Sequence, residues 1–145
     1  MSIAVELESR RRLSQQTALV VRGGADYKSE QGSDYRPGVS AETVGSKAVF
    51  LGAVTLQPGA RTRAHVHEQH ETALYLLSGS CELWTGRELE RRDTIKPGDY
   101  IYIPANVLHV AVNRGDEPAV FMACRNEPTA QESVVLFPEM DKRIP

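Results

Sequence analysis

The stretch Gly59-Ala-Arg-Thr-Arg-Ala-His65-Val-His67-Glu-Gln-His70-Glu71-Thr-Ala-Leu-Tyr-Leu-Leu-Ser-Gly79 decides how this chain folds. A second stretch answers it: Gly98-Asp-Tyr-Ile-Tyr-Ile-Pro104-Ala-Asn-Val-Leu-His109-Val-Ala-Val-Asn113. Between them they hold all four histidines of the protein. His65 and His67 are two apart, so on a strand both imidazoles leave the same face, whereas on a helix they diverge. His109 arrives from a sequence-distant segment, as a site tying two sheets together requires. Imidazole nitrogen suits Fe, Mn, Ni, Cu and Zn. The pattern therefore predicts that His65, His67 and His109 meet around one divalent transition metal ion, whose identity the spacing does not fix.

Around these stretches the pattern is β from Ala48 onward. Residues 48–56 read as a strand ending in the turn Gln57-Pro58-Gly59. Residues 61–67 follow as a strand with alternating polar positions, and residues 73–77 as an apolar strand stopped by Ser78-Gly79. Residues 80–84 and 89–95 flank a hairpin at Thr85-Gly86-Arg87-Glu88. After Lys96-Pro97-Gly98-Asp99 come strands at 100–103, 108–113, 119–125 and 134–137. Many short strands punctuated by Gly and Pro predict an all-β, antiparallel sandwich or barrel. Upstream, Thr17 to Val21 is a short β-branched run that reads as a strand. Arg22 to Gly38, rich in Gly, Asp and Ser, reads as a long surface loop. Residues 1–16 fit a frayed helix or an irregular arm equally well.

The chain's 145 residues predict one domain. We divide it into an N-terminal arm and loop at 1–45, a β-core at 46–126, and a C-terminal tail at 127–145 that packs on the core or on a dimer partner. A net charge of −2 offers no general electrostatic reason to bind nucleic acid or an anionic membrane. The two cysteines, Cys81 and Cys124, are too few for a disulfide scaffold. Glu6, Glu8 and Arg10-Arg11-Arg12 interrupt any apolar leader segment, so the expected location is the cytoplasm. The arm and the run Val134 to Phe137 are candidates for the contacts of a homodimer.

The paired stretches resemble the two motifs of the cupin superfamily. The first family motif runs Gly, five residues, His-x-His, three or four residues, Glu, six residues, Gly; Gly59, His65 and His67 fit it. The second runs Gly, five residues, Pro-x-Gly, two residues, His, three residues, Asn; Gly98, Pro104, His109 and Asn113 fit it. The resemblance implies a jelly-roll β-barrel in one domain with a metal at its centre. Two positions depart from the pattern. Asn106 stands where the family has Gly, and Asn tolerates positive φ better than other side chains. The acid of the first motif is displaced: counting on from His67 gives Glu71, but counting back from Gly79 gives Thr72.

Strand alternation leaves a choice for the fourth ligand. If Thr72 faces inward, so does His70, and Glu71 faces outward. A bulge between His67 and Ala73 reverses this and brings Glu71 in, as ligand or, if not a ligand, as general base. Arg61 and Arg63 share the phase of His65, so they either reach the barrel mouth to meet an anion or act as charges that discourage edge pairing. The run His-x-His-x-x-His-Glu-Thr-Ala from His65, followed by Tyr-Leu-Leu-Ser-Gly79, with Gln131-Glu-Ser-Val-Val near the C-terminus, is also similar to small bacterial cupins labelled as like mannose-6-phosphate isomerase. No cationic cluster or anion-binding helix start in the motif core supports a sugar-phosphate site. The function expected is a mononuclear metalloenzyme, dioxygenase or isomerase in type, acting on a small oxygen-rich organic molecule. The alternative is a non-catalytic cupin that binds a small ligand or a metal.

Overall fold

The computed structural model describes residues 2–145. Its strands are β1 (Tyr27–Lys28), β2 (Asp34–Val39), β3 (Phe50–Leu56), β4 (His65–Val66), β5 (Thr72–Ser78), β6 (Cys81–Thr85), β7 (Arg91–Ile95), β8 (Tyr100–Ile103), β9 (His109–Val112), β10 (Ala119–Arg125) and β11 (Val135–Leu136). Two helices, α1 (Ile3–Arg11) and α2 (Ala41–Val44), precede β3. The strands form a six-stranded sheet in the order β1-β2-β3-β10-β5-β8 and a five-stranded sheet in the order β11-β4-β9-β6-β7. Every pairing between these strands is antiparallel.

The sheets meet because their strands alternate. In β3, Phe50, Gly52, Val54 and Leu56 are buried, and in β10 Ala119, Phe121, Ala123 and Arg125 take the same phase. Val54, Leu56, Leu76, Ile101 and Phe121 of the six-stranded sheet pack with Cys81, Leu83 and Ile95 of the five-stranded sheet in one core. The five-stranded sheet is covered behind as well. Val66, Val110 and Val112 pack there with Ile144, Phe137 and Met140 of the C-terminal segment. The outer face of the six-stranded sheet exposes Leu51, Leu77, Tyr100 and Tyr102.

Two turn positions depend on backbone freedom. Gly79 sits at φ 79°, and a Cβ there would lie 2.2 Å from the Pro118 carbonyl oxygen. Only a residue without a side chain fits. Asn106 takes φ 64°, the left-handed conformation that Asn adopts with least strain after Gly.

Three sequence expectations change. Thr17 to Val21 forms no strand, and Leu19 and Val20 are exposed. The supposed loop at 22–38 contains β1 and β2, and β2 pairs with β3. Arg36-Pro37-Gly38 looked like a breaker, but Pro37 falls where the register shifts between Pro37 and Val39, a place a sheet tolerates proline. Between Arg61 and His67 only His65–Val66 is regular strand, with Arg61 making an isolated bridge to Val112. Val135 and Leu136 pair with Val66 and His65 of the same chain. Among the described residues no helix is long and apolar enough to cross a membrane.

Candidate metal centre

His65 and His109 are directly opposite one another in the β4–β9 ladder, so both rings leave the same side of the five-stranded sheet. Their centroids lie 4.1 Å apart, and those of His65 and His67 4.9 Å apart. Each of the three residues offers one ring nitrogen within 4.8 Å of the other two. All three rings are buried.

The other ring nitrogens fix the tautomers. Nδ1 of His65 lies 2.5 Å from the Arg63 carbonyl oxygen, Nδ1 of His67 2.9 Å from that of Ser133, and Nδ1 of His109 2.9 Å from that of Val107. A carbonyl oxygen only accepts, so each Nδ1 carries the proton and donates it. Each Nε2 is then left with a lone pair, the form in which imidazole ligates a metal. Burial reinforces this state. It lowers the His65 pKa to about 4, against the pull of the Arg63 carbonyl. Burial, followed by the His65 ring, holds His109 well below the ordinary value, and burial lowers His67 too. Three neutral, pre-oriented imidazoles at one point suit a divalent transition ion.

His70 joins a different group. Its ring stacks on His67 with centroids 4.7 Å apart, but its Nε2 lies 3.0 Å from Glu132 Oε2. His67, His70 and Glu132 form a second cluster of potential ligands. Glu132 is held from several sides. Tyr35 Oη donates to its Oε1 at 2.5 Å and Gln31 Nε2 at 2.7 Å, while Arg125 Nε stands 3.6 Å from Oε2. Burial pushes the Glu132 carboxyl up, but His70, His67, Arg125 and Tyr35 together outweigh it and hold it below the usual carboxylate range. Glu71 lies elsewhere. It is exposed, its backbone N–H donates to Asn126 Oδ1, and it flanks an outer groove with Val49, Tyr102 and Cys124. Thr72 is buried and lines the inner cavity, so the register is the one counted back from Gly79.

A cavity of about 70 Å³ lies between the sheets. It is lined by the three histidines, by Gln31, Tyr35, Thr72, Arg125 and Glu132, and by the apolar Leu74, Ile101, Ile103 and Phe121, with Glu132 Oε2 3.7 Å from His67 Nδ1. Neither Arg61 nor Arg63 lines it. Arg63 is exposed, and Arg61 donates to the carbonyls of Asp141 and Ile144, tying down the C-terminal segment. Asn113 is buried at the β9 end, donating to Leu56 O and Glu117 O, and orders the turn rather than the cavity.

Sequence reasoning missed Glu132 and Arg125. For Arg125 a signal existed: the phase of Ala119, Phe121 and Ala123 continues inward to it. For Glu132 there was little, because an acid in the irregular stretch after Pro128 looks like any surface acid.

A two-sheet antiparallel fold with histidines from two remote strands around an internal cavity defines a small metal-binding β-domain of cupin type. Residues 52–124 match the family model described as Cupin domain, and the chain belongs to that family. It is similar to the oxalate decarboxylase OxdC of Bacillus subtilis, 32% identical over 79 residues, which are 53% of this chain and 20% of that one. A solved structure of that enzyme superposes with TM-score 0.65 at 26% identity, covering 78% of this chain and 30% of the other. The tetracenomycin polyketide synthase protein TcmJ of Streptomyces glaucescens is 29% identical over 89 residues, 61% of this chain and 58% of that one. The chain thus spans well under two thirds of either curated relative. A structure described as a sugar phosphate isomerase of the cupin superfamily from Silicibacter pomeroyi superposes with TM-score 0.57 at 20% identity, covering 74% and 71% of the two chains.

Proposed function

We propose that this protein is a mononuclear metal-binding cupin in which His65, His67 and His109 hold a divalent transition ion and a small oxygen-rich organic molecule enters the cavity beside it. The observation that carries this reading is the set of three Nδ1–H groups tied to backbone carbonyls, which leaves three neutral nitrogens facing one cavity. The Mn(II) centres named for the oxalate decarboxylase of Bacillus subtilis support a divalent ion of this kind. Bound there, such an ion supplies Lewis acidity or one-electron redox chemistry. His70 holds Glu132 in place, and Glu132 and Arg125 line the same cavity as the trio. Leu74, Ile101, Ile103 and Phe121 limit water around whatever is bound. The reaction classes that fit are those of a dioxygenase or an isomerase. The test is turnover by iron-, manganese- and zinc-loaded protein on small keto acids, hydroxy acids, diketones and catechols, read as oxygen uptake and by product analysis.

One observation favours a second reading, a cupin that binds without catalysis. Glu71 faces solvent, and the one acid on the cavity wall, Glu132, is already engaged by Gln31, Tyr35 and His70. Metal uptake with ligand binding and no turnover on the panel is the result that reading expects.

The wider organisation follows the same proposal. The chain works as one jelly-roll core at 46–126 with an arm at 1–45 and a tail at 127–145, as a cytoplasmic homodimer. The exposed apolar residues Leu51, Tyr100 and Tyr102, together with Ile3, Leu13 and Val20 of the arm, support a contact between copies. A monomer by light scattering at working concentration contradicts it.

A further inference from the structure

Among the described residues, five buried side chains carry a polar atom with no hydrogen-bond partner: Gln31 Oε1, His70 Nδ1, Thr72 Oγ1, Arg125 Nε and Glu127 Oε2. Three of these residues, Gln31, Thr72 and Arg125, line the cavity that faces the histidines; His70 and Glu127 do not. All three are more than nine-tenths buried, at 2%, 8% and 3% exposure. A buried polar group without a partner is costly, so three on one small cavity wall point to a partner that enters from the cavity.

Their chemistry describes that partner. Gln31 turns its amide nitrogen to Glu132 and Tyr35, which leaves its carbonyl oxygen asking for a donor. Arg125 spends Nη2 on the carbonyls of Thr129 and Ala130, and its Nε, with Glu132 Oε2 at 3.6 Å and Glu127 Oε2 at 3.8 Å, is beyond hydrogen-bond distance of both carboxylates and has room for one acceptor. Thr72 is the cross-strand partner of Arg125, and its hydroxyl serves as either. A hydroxyl group donates to Gln31 and accepts from Arg125 or Thr72 at once. A second carboxylate fits worse. The Arg125 guanidinium already has Glu132 at 3.6 Å and Glu127 at 3.8 Å, so no unbalanced positive charge is left on this wall.

Building on the metal site proposed above, we infer that Gln31, Thr72 and Arg125 form a subsite for the hydroxyl end of a small hydroxy acid whose carboxylate lies toward His65, His67 and His109. The subsite selects hydroxy acids over simple carboxylates and over dicarboxylates.

The experiment is calorimetric and needs no turnover. Zinc uptake by the full chain is titrated first, and then glycolate, acetate and oxalate are titrated into the zinc-loaded protein. Glycolate is expected to bind about tenfold more tightly than acetate, and more tightly than oxalate. Thr72→Val removes the hydroxyl at constant shape and is expected to cut the glycolate advantage to less than about threefold while leaving acetate unchanged; Thr72→Ser is expected to keep it. Zinc binding with equal glycolate and acetate affinities, or with oxalate tightest, overturns the subsite and leaves the metal reading standing. Absence of zinc uptake overturns both.

Discussion

Glu132 Oε2 lies 3.0 Å from His70 Nε2, with both side chains buried and the two residues 62 positions apart in sequence. The pair locks the C-terminal segment onto the cluster, and the next residue, Ser133, supplies the carbonyl that orients His67. Glu132→Gln keeps the shape but removes the charge that His70 and Arg125 face. Breaking a buried pair in this way costs about 3–5 kcal/mol. We expect a loss in that range by urea denaturation. Zinc affinity should fall about tenfold through the loosened His67.

Glu71→Gln is the contrasting change. The side chain is exposed and outside both histidine groups. Stability should stay within about 0.5 kcal/mol and metal content should not change, as measured by denaturation and elemental analysis.

Acid should destabilise the metal-free protein in a defined window. Burial places His65 at about 4, against an ordinary value of 6.5. Between those values the unfolded chain binds a proton that the folded chain refuses, so stability falls as pH drops from 6.5 toward 4. The loss from His65 alone is on the order of 3 kcal/mol. His109, held well below its ordinary value by burial, adds to the loss in the same direction. Glu132, whose carboxyl is also lowered on folding, adds stability that is present above 4.5 and lost below it. Urea midpoints taken from pH 8 to pH 4 should decline steadily; a flat profile contradicts the neutral, buried trio.

Backbone freedom at the motif turns is testable separately. Gly79→Ala drives a Cβ to 2.2 Å from the Pro118 carbonyl oxygen and should cost more than about 2 kcal/mol. Asn106, at φ 64°, should accept Gly within about 1 kcal/mol but lose about 1–2 kcal/mol as Val. Thermal melts of the three variants decide this.

How far the sequence reached follows from the range of its signals. Alternation is local, so the strands β3, β5 and β10 and the common face of His65 and His67 were legible. Thr72 shows the gain from counting strand phase: its buried position places Glu71 outside. Arg36-Pro37-Gly38 shows the opposite, because local turn chemistry hid a strand that only pairing with β3 creates. Glu132 was beyond reach for another reason. No periodic pattern surrounds it, and its value depends on Tyr35, Gln31 and His70, which come from other parts of the fold.

Elemental analysis on the purified full chain, beside His65→Ala and His109→Ala, addresses the central claim most directly. About one equivalent of a divalent transition metal per chain, falling below about a tenth in each variant, is the expected result. A wild-type chain that takes up no metal when loaded, or variants that keep a full equivalent, would contradict it.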